Sequence, residues 1–269
     1  MPAKPKLRNR KQKRLYGEHY LEVPFGHNSK YTGSTECGLM NKGILKVFSE
    51  VANQYELVNH VLTFGLDIPW RKRAAGIAAV GAGNLWLEVC SGTGEMAANL
   101  VKYTGPETKI IVSDFSLPML SKAKEKQDLK GTTLSLADSI QLPFPDDTFD
   151  LVIISFATRN ITPTRDRLIT FLSEFQRILK PGGRFINLET SQPTLTPLRI
   201  AFRFYTKQIV KLVGRLISGS KTGYAYLAHT VPRFFDAEDL SQILYDAGFS
   251  KVNYVTMTFG AVAIHRAVK

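Results

Sequence analysis

The chain has 269 residues, 44% of them apolar, which is long enough to bury a sizeable core as one large domain or one domain with additions. It holds no run near ~18 uninterrupted apolar residues, no apolar signal core at its N-terminus and only two cysteines, Cys37 and Cys90. These features argue against a transmembrane helix, secretion and a disulfide framework, so a reducing, cytoplasmic compartment is expected. The net charge of +12 is concentrated in two stretches. Residues 1–14 carry seven bases and no acid, residues 190–235 carry seven more and no acid, and the rest is near neutral. A surface coated for nucleic acid is therefore not implied.

Residues 1–40 read as a basic, poorly structured extension, and residues 41–269 as the folded domain. Gly43 to Asn59 reads as a helix with Ile44, Val47, Phe48, Val51 and Tyr55 on one face. After a turn at Phe64-Gly65-Leu66, Pro69 at an N1-like position opens a helix reaching about Val80. Leu85 to Val89 is a short apolar strand carrying one acid, Glu88, and it runs directly into Ser91-Gly-Thr-Gly94 and a helix over 96–101.

Lys109 to Ser113 is a second strand ending at Asp114, and Ser116 caps a helix over 117–124. Residues 132–137 form a third strand ending at Asp138-Ser139. Phe149 to Phe156 is a fourth, near-continuously apolar as a buried parallel strand should be. A helix over 164–179 stops at Lys180-Pro-Gly-Gly183, and Arg184 to Leu188 is the fifth strand. Residues 197–217 form a basic amphipathic helix within an inserted segment, 197–233. Ile200 and Phe204 interrupt its basic face. A last helix between Asp236 and Gly248 precedes two strands, 251–257 and 261–265, that form a hairpin. This order predicts an α/β fold: a doubly wound, mostly parallel, seven-stranded Rossmann-like sheet with N-terminal helices.

Ligands of such sheets bind beyond the C-terminal ends of the strands, where Gly92, Gly94, Asp114, Asp138 and Ser155 all fall. The glycine loop alone specifies only a turn. An acid about 20 residues later suits ribose hydroxyls. Glu88, just before the loop, repels phosphate and suits a ligand with a cationic centre. The combination points to S-adenosylmethionine. No Cys/His cluster has metal-site spacing, and no metal is expected.

From about Lys46 to Lys269 the chain resembles the ubiquinone/menaquinone biosynthesis C-methyltransferases, class I enzymes that use S-adenosylmethionine. The resemblance is carried by residues 47–55 (Val-Phe-Ser-Glu-Val-Ala-Asn-Gln-Tyr), Asn59 with Phe64-Gly65 and Trp70-Arg71, and Leu142-Pro-Phe-Pro-Asp146. Ser155 to Asn160, Arg177 through Ser191 and Gly260 to His265 complete it. It implies that Thr93, Asp114, Asp138, Ser139 and Ser155 contact the cofactor. Loop amides would receive the methionine carboxylate, Asp114 the ribose and Asp138 the adenine amino group, with Ser155 under the sulfonium. On the acceptor side it implies Arg159 as stabiliser of a ring phenolate, with Asn160 and Tyr55 orienting ring oxygens.

The implied acceptor is a prenylated quinol-type lipid, reached from the cytosolic side by transient membrane-surface contact through the basic segments. A nucleic-acid partner is not expected, and a homodimer is compatible with the sequence. Glu56, Val58, Asp67, Ala157-Thr158 and Cys90-Ser91 depart from the family pattern, and Asp67 stands where a histidine is usual. The ring is thereby left open between benzoquinol, naphthoquinol and phenazine. The competing readings are a methyltransferase for another phenol, a sterol or RNA, and a non-catalytic cofactor-binding scaffold.

Overall fold

A computed structural model of the chain describes residues 20–21, 54–161, 164–210, 212–213 and 228–269. Strands and helices alternate through its centre. The strands are β1 (Tyr20–Leu21), β2 (Leu85–Val89), β3 (Lys109–Asp114), β4 (Thr133–Leu136), β5 (Phe149–Ser155), β6 (Leu179–Thr190), β7 (Ser250–Met257) and β8 (Val262–Val268). The helices are α1 (Tyr55–Leu62), α2 (Asp67–Ala79), α3 (Glu95–Leu100), α4 (Leu117–Glu125), α5 (Thr158–Ile161), α6 (Arg165–Ile178), α7 (Thr196–Phe204) and α8 (Ala237–Asp246). The strands form one sheet in the order β1-β4-β3-β2-β5-β6-β8-β7. All pairings are parallel except those of β8 with β6 and β7.

Strand β5 shows why the sheet is covered on both faces. Phe149, Val152 and Ile154 pack with Phe171, Phe175 and Leu244 of α6 and α8. Leu151 and Ile153 pack on the opposite face with Ala74, Met96 and Leu120 of α2, α3 and α4. Successive side chains of a strand point to opposite faces, so a strand buried on both sides has to be apolar at every step. Each such fully buried side chain contributes about 1.5–3 kcal/mol.

The chain leaves β2 to build β3 and β4 on one side, then returns to β5 on the other. That reversal opens a crevice beyond the ends of β2 and β5. The loop Ser91–Gly94 follows β2 there, and Phe156–Arg159 follows β5.

The structure differs from the sequence expectation in four places. An eighth strand, β1, pairs Tyr20 with Leu134, so a piece of the 1–40 segment joins the sheet edge. Strand β6 starts early, at Leu179, because Leu179 pairs with Phe149 before a bulge returns the register at Leu151 and Arg184. Gly183 in that bulge has no room for a side chain, since a Cβ would meet the Lys180 carbonyl at 2.7 Å. Ser116 does occupy the first position before α4, but its hydroxyl makes no cap bond. The basic helix continues past Phe204 as a π-helical turn, Tyr205–Val210, the kind of widened turn often found at functional sites.

The N-terminal part of the expected helix over 43–59, all of 1–40 except Tyr20–Leu21, and most of the insertion beyond Val210 lie outside the described residues. Asp236 caps α8 by accepting the Asp239 N–H at 2.9 Å, and Gly248 ends the following turn at φ +93°. Among the described residues, no helix is long and apolar enough to cross a membrane.

Candidate active site

The first wall of the site is the loop after β2. Gly92 and Gly94 have φ of +56° and +79°, the left-handed region that glycine enters without strain. Gly94 also sits where a Cβ would come within 2.5 Å of Leu129. The loop can therefore lie close against α4 and present its backbone to the crevice. Asp114, at the end of β3, braces it: one carboxylate oxygen accepts the Gly92 N–H at 2.8 Å and the other the Ser116 N–H at 2.8 Å. Burial pushes the Asp114 carboxyl up to about 6, and the Ser116, Gly92 and Phe115 amides pull it back. It is ionised at neutral pH.

The hydroxyls of Ser91 and Ser116 are buried without hydrogen-bond partners, and the Thr93 hydroxyl stands by the Glu56 carboxylate. Buried polar atoms are rarely left so. They and the loop amides fit a polar, nucleoside-bearing ligand such as S-adenosylmethionine.

Tyr55, Arg71, Gly92, Thr93, Asp114, Ser155 and Asn160 all line this cleft. The cleft is narrow, with an open space of about 60 Å³. One wall is α1, tied down by Lys126, whose Nζ bridges Glu56 at 2.8 Å and Glu95 at 2.5 Å. Burial disfavours both charges, yet the Lys126 bonds hold Glu56 below its ordinary carboxyl value.

Asp138 and Ser139 do not line the cleft. They stand behind Cys90, whose thiol donates to Ser139 Oγ at 3.4 Å, and Asp138 accepts the Ile140 N–H at 3.0 Å. Burial pushes the Cys90 thiol up to about 12, so it stays protonated and is no nucleophile.

Glu88 is fully buried and does not line the cleft either. The alternation of β2 places it with Trp86 on the face covered by α2 and α3. Neither carboxyl oxygen has a hydrogen-bond partner. Burial pushes the group from 4.5 up to about 8, with the Ala97 amide and Arg71 acting the other way. Glu88 is therefore protonated at neutral pH. Its folded pKa exceeds its unfolded one, so its stabilising contribution is full below about 4.5 and is lost as pH rises to about 8, at about 1.4 kcal/mol per pH unit. Glu88→Gln, which keeps the neutral shape, is expected to remove that slope. Thermal melts across this range should then fall less steeply for the variant, and parallel curves would show that Glu88 is ionised in the fold.

A second, larger cavity of about 280 Å³ adjoins the cleft. Leu62, Phe64, Leu66, Trp70, Phe202 and Val210 make it mainly apolar. Tyr205 reaches across it from the π-helical turn and donates to the Leu62 carbonyl at 2.5 Å. Two arginines, Arg71 and Arg159, supply its positive charge. Arg159 is buried on α5, with Nη1 on Glu189 Oε1 at 2.5 Å and on the Phe156 carbonyl at 3.1 Å. The Arg159 N–H also donates to Glu189 Oε2 at 3.2 Å. Asn160 Oδ1 is buried without a partner beside it.

The sequence reading missed Glu189, Trp70, Phe156 and Lys126 as parts of the site. An acid buried at the end of β6 was the one available signal for Glu189, because charge in a fully covered strand needs a partner. Among the described residues, no group of three or more side chains could hold a metal.

Comparison with known proteins identifies the family and supports the fold. The model of the ubiE/COQ5 methyltransferase family matches residues 37–269. A relative from Pasteurella multocida named ubiquinone/menaquinone biosynthesis C-methyltransferase UbiE is 37% identical over 233 residues, 85% of each chain. The protein of the same name from Pseudomonas fluorescens is 36% identical over 84% of this chain and 88% of its own. A solved SAM-dependent methyltransferase from Thermotoga maritima, described as a possible histamine N-methyltransferase, superposes with a TM-score of 0.59. At 21% identity over 84% of this chain and 99% of that one, it supports the fold alone. The chain belongs to the ubiE/COQ5 methyltransferase family and is an S-adenosylmethionine-dependent C-methyltransferase.

Proposed function

We propose that the enzyme methylates a ring carbon of a prenylated quinol in respiratory quinone biosynthesis. The carrying observation is the apolar cavity with two carboxylate-held arginines, which meets the cofactor cleft at Tyr55, Arg71 and Phe156. Apolar walls suit a prenyl chain, and the arginines suit ring oxygens. The names of the relatives support the same substrate class.

Bound S-adenosylmethionine supplies a methyl already activated on a sulfonium. Thr93, Asp114 and Ser155 line the cleft that would hold it. Ring carbon becomes a competent nucleophile only as a neighbouring hydroxyl gives its proton to water and gains phenolate character; once the carbon has taken the methyl, it releases its own hydrogen as a proton to water and the ring regains aromaticity. Arg159, fixed by Glu189, stabilises that charge as a hydrogen-bond donor and not as a base, since a guanidinium offers donors and no acceptor. Asn160 and Tyr55 orient the ring, and alignment of carbon with methyl lowers most of the remaining barrier.

The acceptor's chain resides in a bilayer, so the enzyme works at a membrane surface. The exposed face of α7 and its continuation, Ile200, Arg203, Phe204 and Lys207, offers apolar side chains between cations. Phe64 and Phe259 are exposed at about 80% near the cavity mouth. Such a surface suits anionic lipid.

The test is transfer of labelled methyl to prenylated quinol in anionic vesicles. Label in the quinol ring is the expected result, and label found only in RNA or another lipid would sink the proposal. Replacing Ile200 and Phe204 together by Asp should slow vesicle-borne transfer at least tenfold and leave a soluble short-chain quinol unaffected. Equal slowing of both acceptors would remove this face from membrane docking.

A further inference from the structure

Methyl transfer has to occur where the cleft and the larger cavity meet, and the one cation among the three shared residues is Arg71. It rises from the first turns of α2 and is only 5% exposed. Nη1 donates to Asp67 Oδ2 at 2.5 Å. Asp67 is gripped in turn by His60 Nδ1 at 2.9 Å and by the Thr63 hydroxyl at 2.8 Å. The guanidinium carbon lies 5.1 Å from the centroid of the Phe156 ring.

A guanidinium has five N–H donors. Among the described residues, the bond to Asp67 is the only hydrogen bond this side chain makes, and Nε is buried with no partner. Unused donors on a buried cation are costly unless a ligand takes them.

Arg159 repeats the pattern on the other side. It has one carboxylate anchor at 2.5 Å, a buried Nε without a partner, and a place in the same cavity. Phe156 links the two: Arg71 covers its ring, and Arg159 bonds its carbonyl. Phe156 is held there at φ +53°, a conformation that a bulky residue rarely adopts.

We propose that Arg71 is a second oxygen-binding residue, taking the ring oxygen that Arg159 leaves and so selecting acceptor rings with two oxygens over rings with one. The proposal rests on the quinol reading above and adds the specificity determinant to it. The methionine carboxylate of the cofactor is the competing anion for Arg71, but the loop amides of 91–94 already offer it donors.

The experiment uses calorimetric titration of the full chain loaded with S-adenosylhomocysteine, under anaerobic conditions. The two probes are a short-chain prenylated 1,4-naphthohydroquinone and the matching prenylated 1-naphthol, which has one hydroxyl. Wild type should prefer the dihydroxy ring at least tenfold, the size of one hydrogen bond to a charged group. Arg71→Gln combined with Asp67→Asn leaves no buried charge unpaired and should abolish the preference by weakening only the dihydroxy ring. Arg71→Lys, which keeps the ion pair, provides the same readout if the double variant folds poorly, because an ammonium does not reproduce the guanidinium fork.

Equal weakening of both rings, or a weakened affinity for S-adenosylhomocysteine, assigns Arg71 to the scaffold or the donor and overturns the proposal. Wild type that binds both rings equally overturns it too and leaves the quinol reading standing. Wild type that binds neither ring removes both.

Discussion

Asp114→Ala should weaken S-adenosylmethionine binding at least a hundredfold. The carboxylate is buried and charged, and it is held rigidly by the Gly92 and Ser116 amides. It lines the cleft at the end of the strand next to the glycine loop. Two hydrogen bonds from ribose hydroxyls to such a carboxylate are worth about 1.5–3 kcal/mol each, and 1.4 kcal/mol is tenfold in affinity. The substitution also strips two loop amides of their acceptor, so the loop loses its shape together with the contact.

Binding should depend on pH in a defined direction. Because the group is pushed up to about 6, lowering pH through 6 protonates it and weakens the cofactor's grip, while raising pH above 7 changes little. Calorimetric titration across that range checks both statements. Tight binding by the alanine variant would displace Asp114 from the cofactor site.

Arg159→Ala should cut turnover about a hundredfold or more while cofactor affinity stays within a few-fold. The loss of one positioned donor to developing negative charge has about that effect. Arg159 lines the acceptor cavity and not the cofactor cleft, so the two readouts separate.

A complication lies in Glu189, which is 1% exposed and whose one cationic partner among the described residues is Arg159. Removing the arginine alone leaves that buried charge uncompensated, at about 3–5 kcal/mol of stability. Arg159→Met with Glu189→Gln avoids this penalty and should show the same loss of turnover with a nearly normal melting temperature. Unchanged turnover in the paired variant would exclude Arg159 from the chemistry.

The contrast between what could and could not be read from the chain is physical. Strand β2 was legible to the residue, because Leu85–Val89 is an apolar run stopped by a glycine loop. The ends of β3 and β5, and hence the cleft positions Asp114 and Ser155, follow from the same alternation of β-branched runs and helices. Glu88 was drawn toward the ligand by its closeness in sequence to the loop. The period-two geometry of β2 turns it instead under α2 and α3.

The acceptor cavity was hard to read for a different reason. Its walls come from α1, α2, the segment after β5, the π-helical turn and the loop before β8, pieces separated by up to about 200 residues. No local pattern marks Trp70 as the partner of Thr258, yet its indole N–H donates to that hydroxyl at 3.0 Å. The two-residue strand β1 has no periodicity to detect, and the π-helical turn uses the same residue types as the α-helix it extends.

The order of the last two strands sets a condition on how the molecule is made. Strand β8 follows β7 in the chain, yet it lies inside the sheet between β6 and β7. While β7 emerges from the ribosome, β6 still has an open edge, and β7 has nothing to pair with until β8 arrives. Lys269, just past β8, ties the strand down: its N–H donates to the Gly183 carbonyl, and its ammonium reaches Asp147 at 2.8 Å. Val262 of β8 also lines the acceptor cavity. Nascent or truncated chains that lack those few residues carry an unpaired strand edge, the template on which aggregation starts, and an incomplete acceptor wall. A chain that lacks β8 can neither pair β7 nor complete the acceptor wall.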